Sequence, residues 1–321
     1  MTQVRAVVID GFTDSPHPAT FAAPGLAEGQ VLIAVQAASI NAFDWKEAEG
    51  RFKDSFEYQF PVTIGRDYAG VVTATGPGVS RVRPGDAVFG YFTGQRLHRG
   101  SYATHVWCAE GECFVPRPPG LPADAAACLP LAGVVALRCV AAVRPAAGQR
   151  VLILGAPGGA GSFCVQLAAR RGAHVIASGL PEDDAYLRDL GAADVIEPGD
   201  GVIGEVRARW PGGVHGLIDL VDYRSAFMEH AGLLVHGGRA ASVHRAADEE
   251  ALASRGLRGT NVGSFPDRAL LDQLGSLAAA GDLRVPITGR YTLDEAVTGL
   301  ADARSKHSRG KLVIEVSSAG A

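Results

Sequence analysis

The chain has few lysines, few aromatic residues and no long apolar run. Of its 321 residues, 30 are Lys or Arg and 34 are Asp or Glu, and only four of the basic residues are lysines. A net charge of −4 without basic blocks argues against nucleic acid or an anionic membrane as the main partner. No stretch approaches the roughly 18 uninterrupted apolar residues of a membrane-spanning helix, so none is expected.

Cysteine is also scarce, and its spacing fits neither a disulfide framework nor a zinc ribbon. The five cysteines are odd in number and form no CxxC pair. The first residues have the pattern of a strand and lack the apolar core and cleavage site of a signal peptide. We therefore expect free thiols and a cytoplasmic protein.

The sequence pattern changes near residue 118, after a proline-rich segment at 115–120. Before it, β-branched runs alternate with Pro- and Gly-rich turns, which is typical of a barrel-like β domain. After it, apolar strands alternate with helices, which indicates a parallel sheet covered by helices. With 47% hydrophobic residues, the chain is long enough for two domains with cores of their own.

A glycine-rich turn lies between the apolar strand predicted at 151–155 and the helix that follows. Gly158 and Gly161 occupy the second and third glycine positions of the GxGxxG pattern, and Ala156 stands at the first. Such a turn lets the backbone approach a pyrophosphate, which then lies over the helix N-terminus. The alternative, a merely tight turn, stays open. The predicted cofactor-binding residues here are Gly155, Ala156, Gly158, Gly159, Ala160 and Gly161.

The next strand, predicted at 174–178, ends where a residue that contacts the adenosine ribose is expected. Ser178, Glu182 and Asp183 are the candidates there. An acidic residue binds the ribose 2′-hydroxyl and repels a 2′-phosphate, which favours NAD over NADP. Alternatively, these acids only begin the next helix, where negative charge suits the helix dipole. The cofactor is therefore expected to be NADP(H) or NAD(H).

Seven short motifs, in this order, make the chain resemble a known enzyme family. They lie at residues 38–46 (ASINAFDWK), 65–72 (GRDYAGVV), 83–88 (RPGDAV), 100–103 (GSYA), 129–133 (LPLAG), 158–162 (GGAGS) and 189–192 (DLGA). Together they resemble the zinc-independent quinone oxidoreductases of the medium-chain dehydrogenase/reductase (MDR) superfamily, over nearly the whole length. The resemblance implies an α/β protein. A GroES-like, β-rich catalytic domain would comprise 1–118 and 263–321, and a Rossmann domain with a doubly wound parallel sheet would comprise 119–262.

The resemblance also implies NAD(P)H-dependent reduction of a quinone or an activated double bond in a small molecule, by a homodimer or homotetramer. The zinc-dependent branch would place a cysteine near Asn41, a histidine near Arg66 and another ligand near Leu131. Because Asn, Arg and Leu cannot form a thiolate and imidazole site, we expect no zinc. The short-chain dehydrogenases are excluded too, since none of the seven tyrosines has a lysine four residues later.

Reduction without a metal needs hydrogen-bond donors for the negative charge that develops on a conjugated oxygen. By the resemblance, Lys46 is the expected donor and Asn41 a pocket amide near the nicotinamide. A surface lysine and a helix-capping asparagine are the alternatives. Asp67 is expected to be structural, as a carboxylate that could pair with Arg66. The expected substrate-pocket residues are Trp45, Phe52, Arg66, Tyr91, Phe92, Leu131 and Phe265.

Three functions follow, in order of preference. The first is a metal-free NAD(P)H-dependent reductase of a quinone or enone. The second is an enoyl-thioester reductase of a biosynthetic, polyketide-type pathway, for which Arg51, Arg96 and Arg99 are candidates for a basic mouth. The third is a non-catalytic NAD(P)H-binding protein with a structural or sensory role. Fold alone does not distinguish among them.

Overall fold

A computed structural model of the chain describes residues 2–12, 14–92, 96–97, 99–265, 267–305 and 307–316. Internal contacts divide the chain into two compact units. Unit 1 comprises Met1–Leu131 and Phe265–Ala321, and unit 2 comprises Ala132–Ser264. The domain limits at 118 and 262 stay a prediction from the sequence. Within the described ranges, no helix is long and apolar enough to cross a membrane.

The described residues form strands and helices along the whole chain. The strands are β1 (Gln3–Ile9), β2 (His17–Ala22), β3 (Gln30–Ile40), β4 (Glu57–Tyr58), β5 (Val62–Thr63), β6 (Asp67–Thr75), β7 (Ala87–Tyr91), β8 (Arg96–Leu97), β9 (His105–Ala109), β10 (Phe114–Pro116), β11 (Arg150–Leu154), β12 (His174–Ser178), β13 (Asp194–Ile196), β14 (Val214–Asp219), β15 (Leu234–Ser242), β16 (Arg258–Asn261), β17 (Ile287–Thr292) and β18 (Lys311–Glu315). The α-helices are α1 (Ala42–Ala48), α2 (Ala123–Ala127), α3 (Pro130–Val143), α4 (Gly159–Ala169), α5 (Asp184–Asp189), α6 (Val202–Arg209), α7 (Arg224–His230), α8 (Glu249–Ser254), α9 (Arg268–Ala279) and α10 (Ala296–Ser305).

Unit 1 is built on a mainly antiparallel sheet with the strand order β10-β7-β6-β3-β18-β17, to which β9 adds by pairing with β3. A smaller sheet has the order β2-β1-β5. The central strand β3 has 11 residues and pairs with β6, β9 and β18. Its nearly continuous apolar sequence fits a strand that is buried on both faces. Because β18 comes from the C-terminal segment, that segment completes the sheet begun by the N-terminal one.

Unit 2 has one parallel six-stranded sheet with the order β13-β12-β11-β14-β15-β16. The strand order runs outward in both directions from the β11–β14 pair, which defines a doubly wound sheet. The α/β fold class predicted from the sequence is therefore confirmed. In such sheets ligands bind beyond the carboxyl ends of the strands where the order reverses, here at Leu154 and Asp219, which are paired in register.

Candidate functional site

A buried cluster of polar and charged side chains lies at the ends of β3, β6 and β18 in unit 1. We call it the Asp67 cluster and define it by Ser39, Asn41, Asp67 and Lys311. The carboxylate Oδ2 of Asp67 accepts hydrogen bonds from Asn41 Nδ2 and Ser39 Oγ, both at 3.0 Å. Lys311 Nζ donates to Asn41 Oδ1 at 2.6 Å, and the backbone N–H of Leu131 donates to Asp67 Oδ1 at 3.2 Å. A buried ammonium and a buried carboxylate are thus joined through one amide.

The side chain of Asn41 is fully engaged in the Asp67 cluster. Its Oδ1 accepts from Lys311, and its Nδ2 donates to Asp67 and, at 3.4 Å, to Ser39. Asn41 is also the residue before helix α1, but its side chain makes no capping hydrogen bond. The two expectations for Asn41 were a pocket amide and a helix cap. In this structure the amide links two buried charges, and its role as a pocket amide stays a prediction.

Asp44, in the first turn of α1, is a second buried carboxylate beside this cluster. Its Oδ2 accepts from the backbone N–H of Asn41 at 2.7 Å and from the Tyr102 hydroxyl at 2.9 Å. Its Oδ1 is buried without a hydrogen-bond partner. Burial raises the pKa of Asp44 to about 7, and the nearby carboxylates of Asp67 and Glu47 add to that rise. Asp44 therefore gains its proton in the neutral pH range.

Arg66 is buried at the start of β6 and pairs with Glu47 of α1. Its Nη2 donates to Glu47 Oε1 at 3.1 Å, and both side chains are almost inaccessible. The expected pairing of Asp67 with Arg66 is replaced by this ion pair. The guanidinium carbon lies 4.5 Å from the ring centroid of Phe43, on which Phe52 stacks at 4.5 Å. Arg66 and Phe52 are both predicted for the substrate pocket, and both contact the ring of Phe43.

Lys46 lies on the same helix as Asp44 and is half-buried. Its Nζ lies 5.4 Å from the ring centroid of Trp45. The guanidinium carbon of Arg51 lies 5.6 Å from the same centroid. Among the described residues, Nζ makes no hydrogen bond or ion pair. Partial burial, together with the charge of Arg51, lowers the pKa of Lys46. In the part of the chain that the structure describes, the ammonium thus has no hydrogen-bonding or ionic partner and contacts the Trp45 ring.

The remaining predicted pocket residues differ in exposure. Tyr91 and Phe92 are buried, and the Phe92 ring packs 5.2 Å from that of Tyr68. Leu131 is half-buried and contacts the Asp67 cluster through its backbone. Phe265 is 68% exposed. Tyr91 and Phe92 thus contribute to the core of unit 1, while Phe265 presents a free aromatic face.

The glycine-rich turn of unit 2 connects β11 to helix α4. Gly155 makes the sharp turn, because its φ of +75° is one that other residues rarely adopt. Gly161 allows the helix to approach the turn, since a Cβ there would lie 2.1 Å from the carbonyl oxygen of Gly155. At Gly158 the nearest such atom is 3.6 Å away, so its missing side chain leaves open space. Gly155, not Ala156, therefore meets the demand for the tight turn.

The acidic residues after β12 have different environments. Asp183 is buried, and its Oδ2 accepts from the backbone N–H of Leu180 at 2.9 Å, so it closes the local 3-10 turn. Glu182 is exposed beside it. Ser178, the last residue of β12, is buried. The geometry of Asp183 agrees with the helix-start interpretation and leaves Glu182 as the acid that can face a ribose.

These features of unit 2 fit a dinucleotide. The first N–H groups of α4, at Gly159 and Ala160, have no partner within the helix and attract a phosphate. Gly158 provides the room for that phosphate to approach the backbone. The loop after β12 borders the turn, because a Cβ on Gly179 would lie 3.3 Å from the Pro157 ring. The pyrophosphate and the ribose can therefore be held by adjacent segments.

Sequence reasoning missed Lys311, Asp44 and Glu47 as members of the buried site. A signal for Lys311 was present, because a lysine within the apolar strand KLVIEV is unusual and the chain has only four lysines. Its partner Asn41 is separated from it by 270 positions, so no local pattern connects the two residues.

Comparison with known proteins extends these observations. The family model of the alcohol dehydrogenase GroES-like domain matches residues 27–119, and that of the zinc-binding dehydrogenases matches residues 190–314. The quinone oxidoreductase from Coxiella burnetii has a similar structure, with a TM-score of 0.86 and 27% sequence identity over 98% of this chain and 100% of that chain.

Two curated relatives are reductive or biosynthetic proteins by name. Phthioceranic/hydroxyphthioceranic acid synthase of Mycobacterium tuberculosis is 31% identical over 319 residues, which cover 91% of this chain but 14% of the synthase. The trans-enoyl reductase pgmF of Aspergillus terreus is 35% identical over 181 residues, or 54% of this chain and 50% of that protein. The match therefore covers most of this chain but only about one seventh of the synthase.

The parallel sheet, its glycine turn and the two family matches are those of the dehydrogenase class, and that class implies a nicotinamide cofactor. Within that class, the chain belongs to the medium-chain dehydrogenase/reductase superfamily. The solved structures that resemble it include quinone oxidoreductases.

The Asp67 cluster predicts a strong dependence of stability on Lys311. In Lys311→Met, Asp67 and Asn41 Oδ1 would lose their buried cation, and we expect the free energy of unfolding to fall by about 3–5 kcal/mol. Urea unfolding measures this change, with Lys53→Met as the exposed control. Equal stability of the two variants would contradict the pairing, whereas adding Asp67→Asn to Lys311→Met should recover part of the loss.

The glycine turn predicts different effects for two of its glycines. Gly161→Ala forces backbone atoms apart, and we expect a loss of about 1–3 kcal/mol in the free energy of unfolding. Gly158→Ala should leave that free energy unchanged but weaken NADH or NADPH binding, because the methyl group occupies the space left for the phosphate. Thermal unfolding and isothermal titration calorimetry separate these effects. Unaltered cofactor binding by Gly158→Ala would place the phosphate elsewhere.

Proposed function

We propose that the chain is a metal-free reductase that transfers hydride from NAD(P)H to a quinone or an α,β-unsaturated carbonyl of a small molecule. The observation that carries this proposal is the contrast between two kinds of buried or half-buried cation in unit 1. Arg66 and Lys311 are engaged with internal acceptors, whereas Lys46 has no acceptor among the described residues. Lys46 is thus available for a substrate oxygen.

The residues at the three expected zinc-ligand positions support a reaction without zinc. Asn41 is held by Lys311 and Asp67, and Arg66 is paired with Glu47. The third position, Leu131, has an apolar side chain. Zinc requires thiolate, imidazole or carboxylate ligands, and the two buried cations next to these positions would repel a metal ion.

Lys46 is proposed to stabilise the oxygen on which negative charge develops. When bound, the nicotinamide group supplies a hydride to the double bond or quinone. The Lys46 ammonium would donate a hydrogen bond to the conjugated oxygen, and a proton from water would complete the reduction. The partial burial that lowers the pKa of Lys46 also means that this donor is already partly desolvated before a substrate binds. The exposed ring of Phe265 and the stacked Phe52 are candidates for apolar contacts with the substrate.

The cofactor is proposed to lie against Gly155–Gly161, with Ser178 and Glu182 next to the adenosine ribose. Asp183 is occupied by the N–H of Leu180, so it shapes the loop and leaves the choice of cofactor to Glu182. The exposed carboxylate of Glu182 would accept a hydrogen bond from a ribose hydroxyl and repel a 2′-phosphate. This supports NADH over NADPH.

A carrier-bound enoyl thioester is the second candidate substrate. It is favoured by the 31% identity to the mycobacterial synthase over 91% of this chain. The basic residues expected around such a substrate are only partly suited to it. Arg51 is exposed but pairs with Glu49 at 3.0 Å, and Arg99 is held by Glu112 at 3.0 Å. The side chain of Arg96 lies outside the described residues. The assay below therefore includes a thioester.

A homodimer or homotetramer, as the resemblance implies, and a cytoplasmic location are also part of the proposal. A non-catalytic cofactor-binding protein is the alternative that the assay excludes or supports.

The first test follows nicotinamide absorbance with NADH or NADPH and three acceptors: a simple quinone, a non-quinone enone and an enoyl thioester. We expect turnover with the quinone or the enone, and a decrease in kcat of about 10²–10³ in Lys46→Met, because one oxyanion donor is lost. Lys53→Met is the control for removal of a lysine charge.

Each result of this assay has a defined meaning. Turnover with the thioester alone would favour the second candidate. Saturable cofactor binding without any turnover would favour the non-catalytic alternative. An unchanged kcat in Lys46→Met would remove Lys46 from the mechanism.

A second test concerns the choice of cofactor. In Glu182→Arg the repulsive carboxylate is replaced by a group that can bind a 2′-phosphate, and we expect the ratio of kcat/KM for NADPH to that for NADH to rise by about tenfold or more. Asp183 is left intact because it closes the local turn. Asp272→Arg, an exposed charge reversal in unit 1, is the control. An equal ratio in both variants would mean that Glu182 only begins the helix and does not contact the ribose.

A further inference from the structure

Three ligand-type side chains converge in unit 2, at the carboxyl end of β14. Asp219 ends β14, Asp222 lies in the following loop and His230 ends helix α7. One ligand atom from each lies within 4.8 Å of the other two. Asp222 Oδ2 and His230 Nδ1 are 2.9 Å apart.

One of the converging atoms has no partner in the described part of the chain. Asp219 Oδ2 is a buried atom without a hydrogen bond, and Asp219 is only 1% exposed. Asp222 Oδ2 and His230 Nδ1 pair with each other and lie beside it. Buried polar atoms normally have partners, and leaving one unpaired costs free energy. The unpartnered oxygen of Asp219 therefore points to a group that would bind it together with the Asp222 and His230 atoms.

The charge of the cluster also calls for a cation. Among the described residues, no lysine or arginine pairs with Asp219 or Asp222. Burial raises the pKa of Asp219 to about 7, and the facing Asp222 carboxylate adds to the rise. The other oxygen of Asp219 accepts from the backbone N–H groups of Val221 and Asp222, at 3.0 and 2.9 Å, which fixes the orientation of its carboxylate.

We propose that Asp219, Asp222 and His230 bind one divalent transition-metal ion, Mn²⁺ or Zn²⁺. Neighbouring ligands of an ion with bonds of about 2.1 Å lie about 3 Å apart, which the contact between Asp222 and His230 matches. One imidazole nitrogen with two carboxylate oxygens suits Mn²⁺ or Zn²⁺ better than Mg²⁺ or Ca²⁺, which prefer oxygen ligands only. Water would occupy the remaining coordination positions.

The proposed ion would hold a loop next to the glycine turn. It would connect the end of β14 to both ends of α7, because Asp222 precedes this helix and His230 is its last residue. Val221, inside the loop, borders Gly155, where a Cβ would lie 2.7 Å from its methyl group. The ion is thus assigned a structural role in unit 2 and no part in hydride transfer.

Electron paramagnetic resonance of Mn²⁺ tests the proposal on the full chain after treatment with EDTA and removal of the chelator. We expect one bound Mn²⁺ per chain and a higher unfolding midpoint in its presence. Absence of bound Mn²⁺ at saturating concentration would overturn the proposal and leave the two carboxylates sharing a proton.

Near-isosteric variants identify the ligands. Asp222→Asn and His230→Gln should each weaken Mn²⁺ binding by at least tenfold, and circular dichroism without metal verifies that both are folded. His174→Gln is the matched control. His174 pairs with Asp194 in the same unit, but Asp194 also pairs with Arg209, so no cation is needed there. Unchanged binding in both test variants, or equal weakening in the control, would contradict the assigned site.

Competition adds a readout of the ligand set. Zn²⁺ should displace Mn²⁺ at far lower concentration than Mg²⁺, because an imidazole ligand favours Zn²⁺. Equal displacement by the two ions would contradict a site that includes His230.

Discussion

The pairing of buried charges in unit 1 is the constraint on which the rest of that unit depends. Asp67 and Lys311 come from different strands of one sheet, and both are nearly inaccessible to water. Removing a carboxylate and an ammonium from water costs several kcal/mol each, and only close hydrogen-bonded partners offset that cost. Asn41 connects the two charges, so its position before α1 sets where that helix begins. The helix in turn carries Asp44, Lys46 and Glu47.

The same helix places its charged residues in different environments. Glu47 faces the interior and pairs with Arg66, whereas Lys46, one position earlier, is half-buried beside Trp45. Because successive side chains on a helix point about 100° apart, neighbours in the sequence can serve the core and a ligand. Internal ion pairs next to a half-buried cation without an ionic partner among the described residues are what the proposed preorganised site requires.

The two units differ in how far their features could be predicted from the sequence. The glycine turn is local, since strand, turn and helix follow one another within about 20 residues, and the doubly wound sheet predicted with it is confirmed. The Asp67 cluster depends on residues 270 positions apart, and no periodicity relates them. Asp183 shows a third case, because the sequence allowed both a ribose contact and a helix start. Only its hydrogen bond to Leu180 reveals its local role.

The discontinuity of unit 1 has a consequence for how the protein is made. The strand β18, which pairs with β3 and delivers Lys311, is translated after all of unit 2. Until it emerges from the ribosome, residues 37–40 of β3 lack their partner strand and Asp67 lacks its cation. Unit 2, one continuous segment, has no such dependence and can fold earlier. An incomplete chain would therefore leave the last four residues of β3, 37–40, without their neighbouring strand, and an unpaired strand edge can associate with other chains.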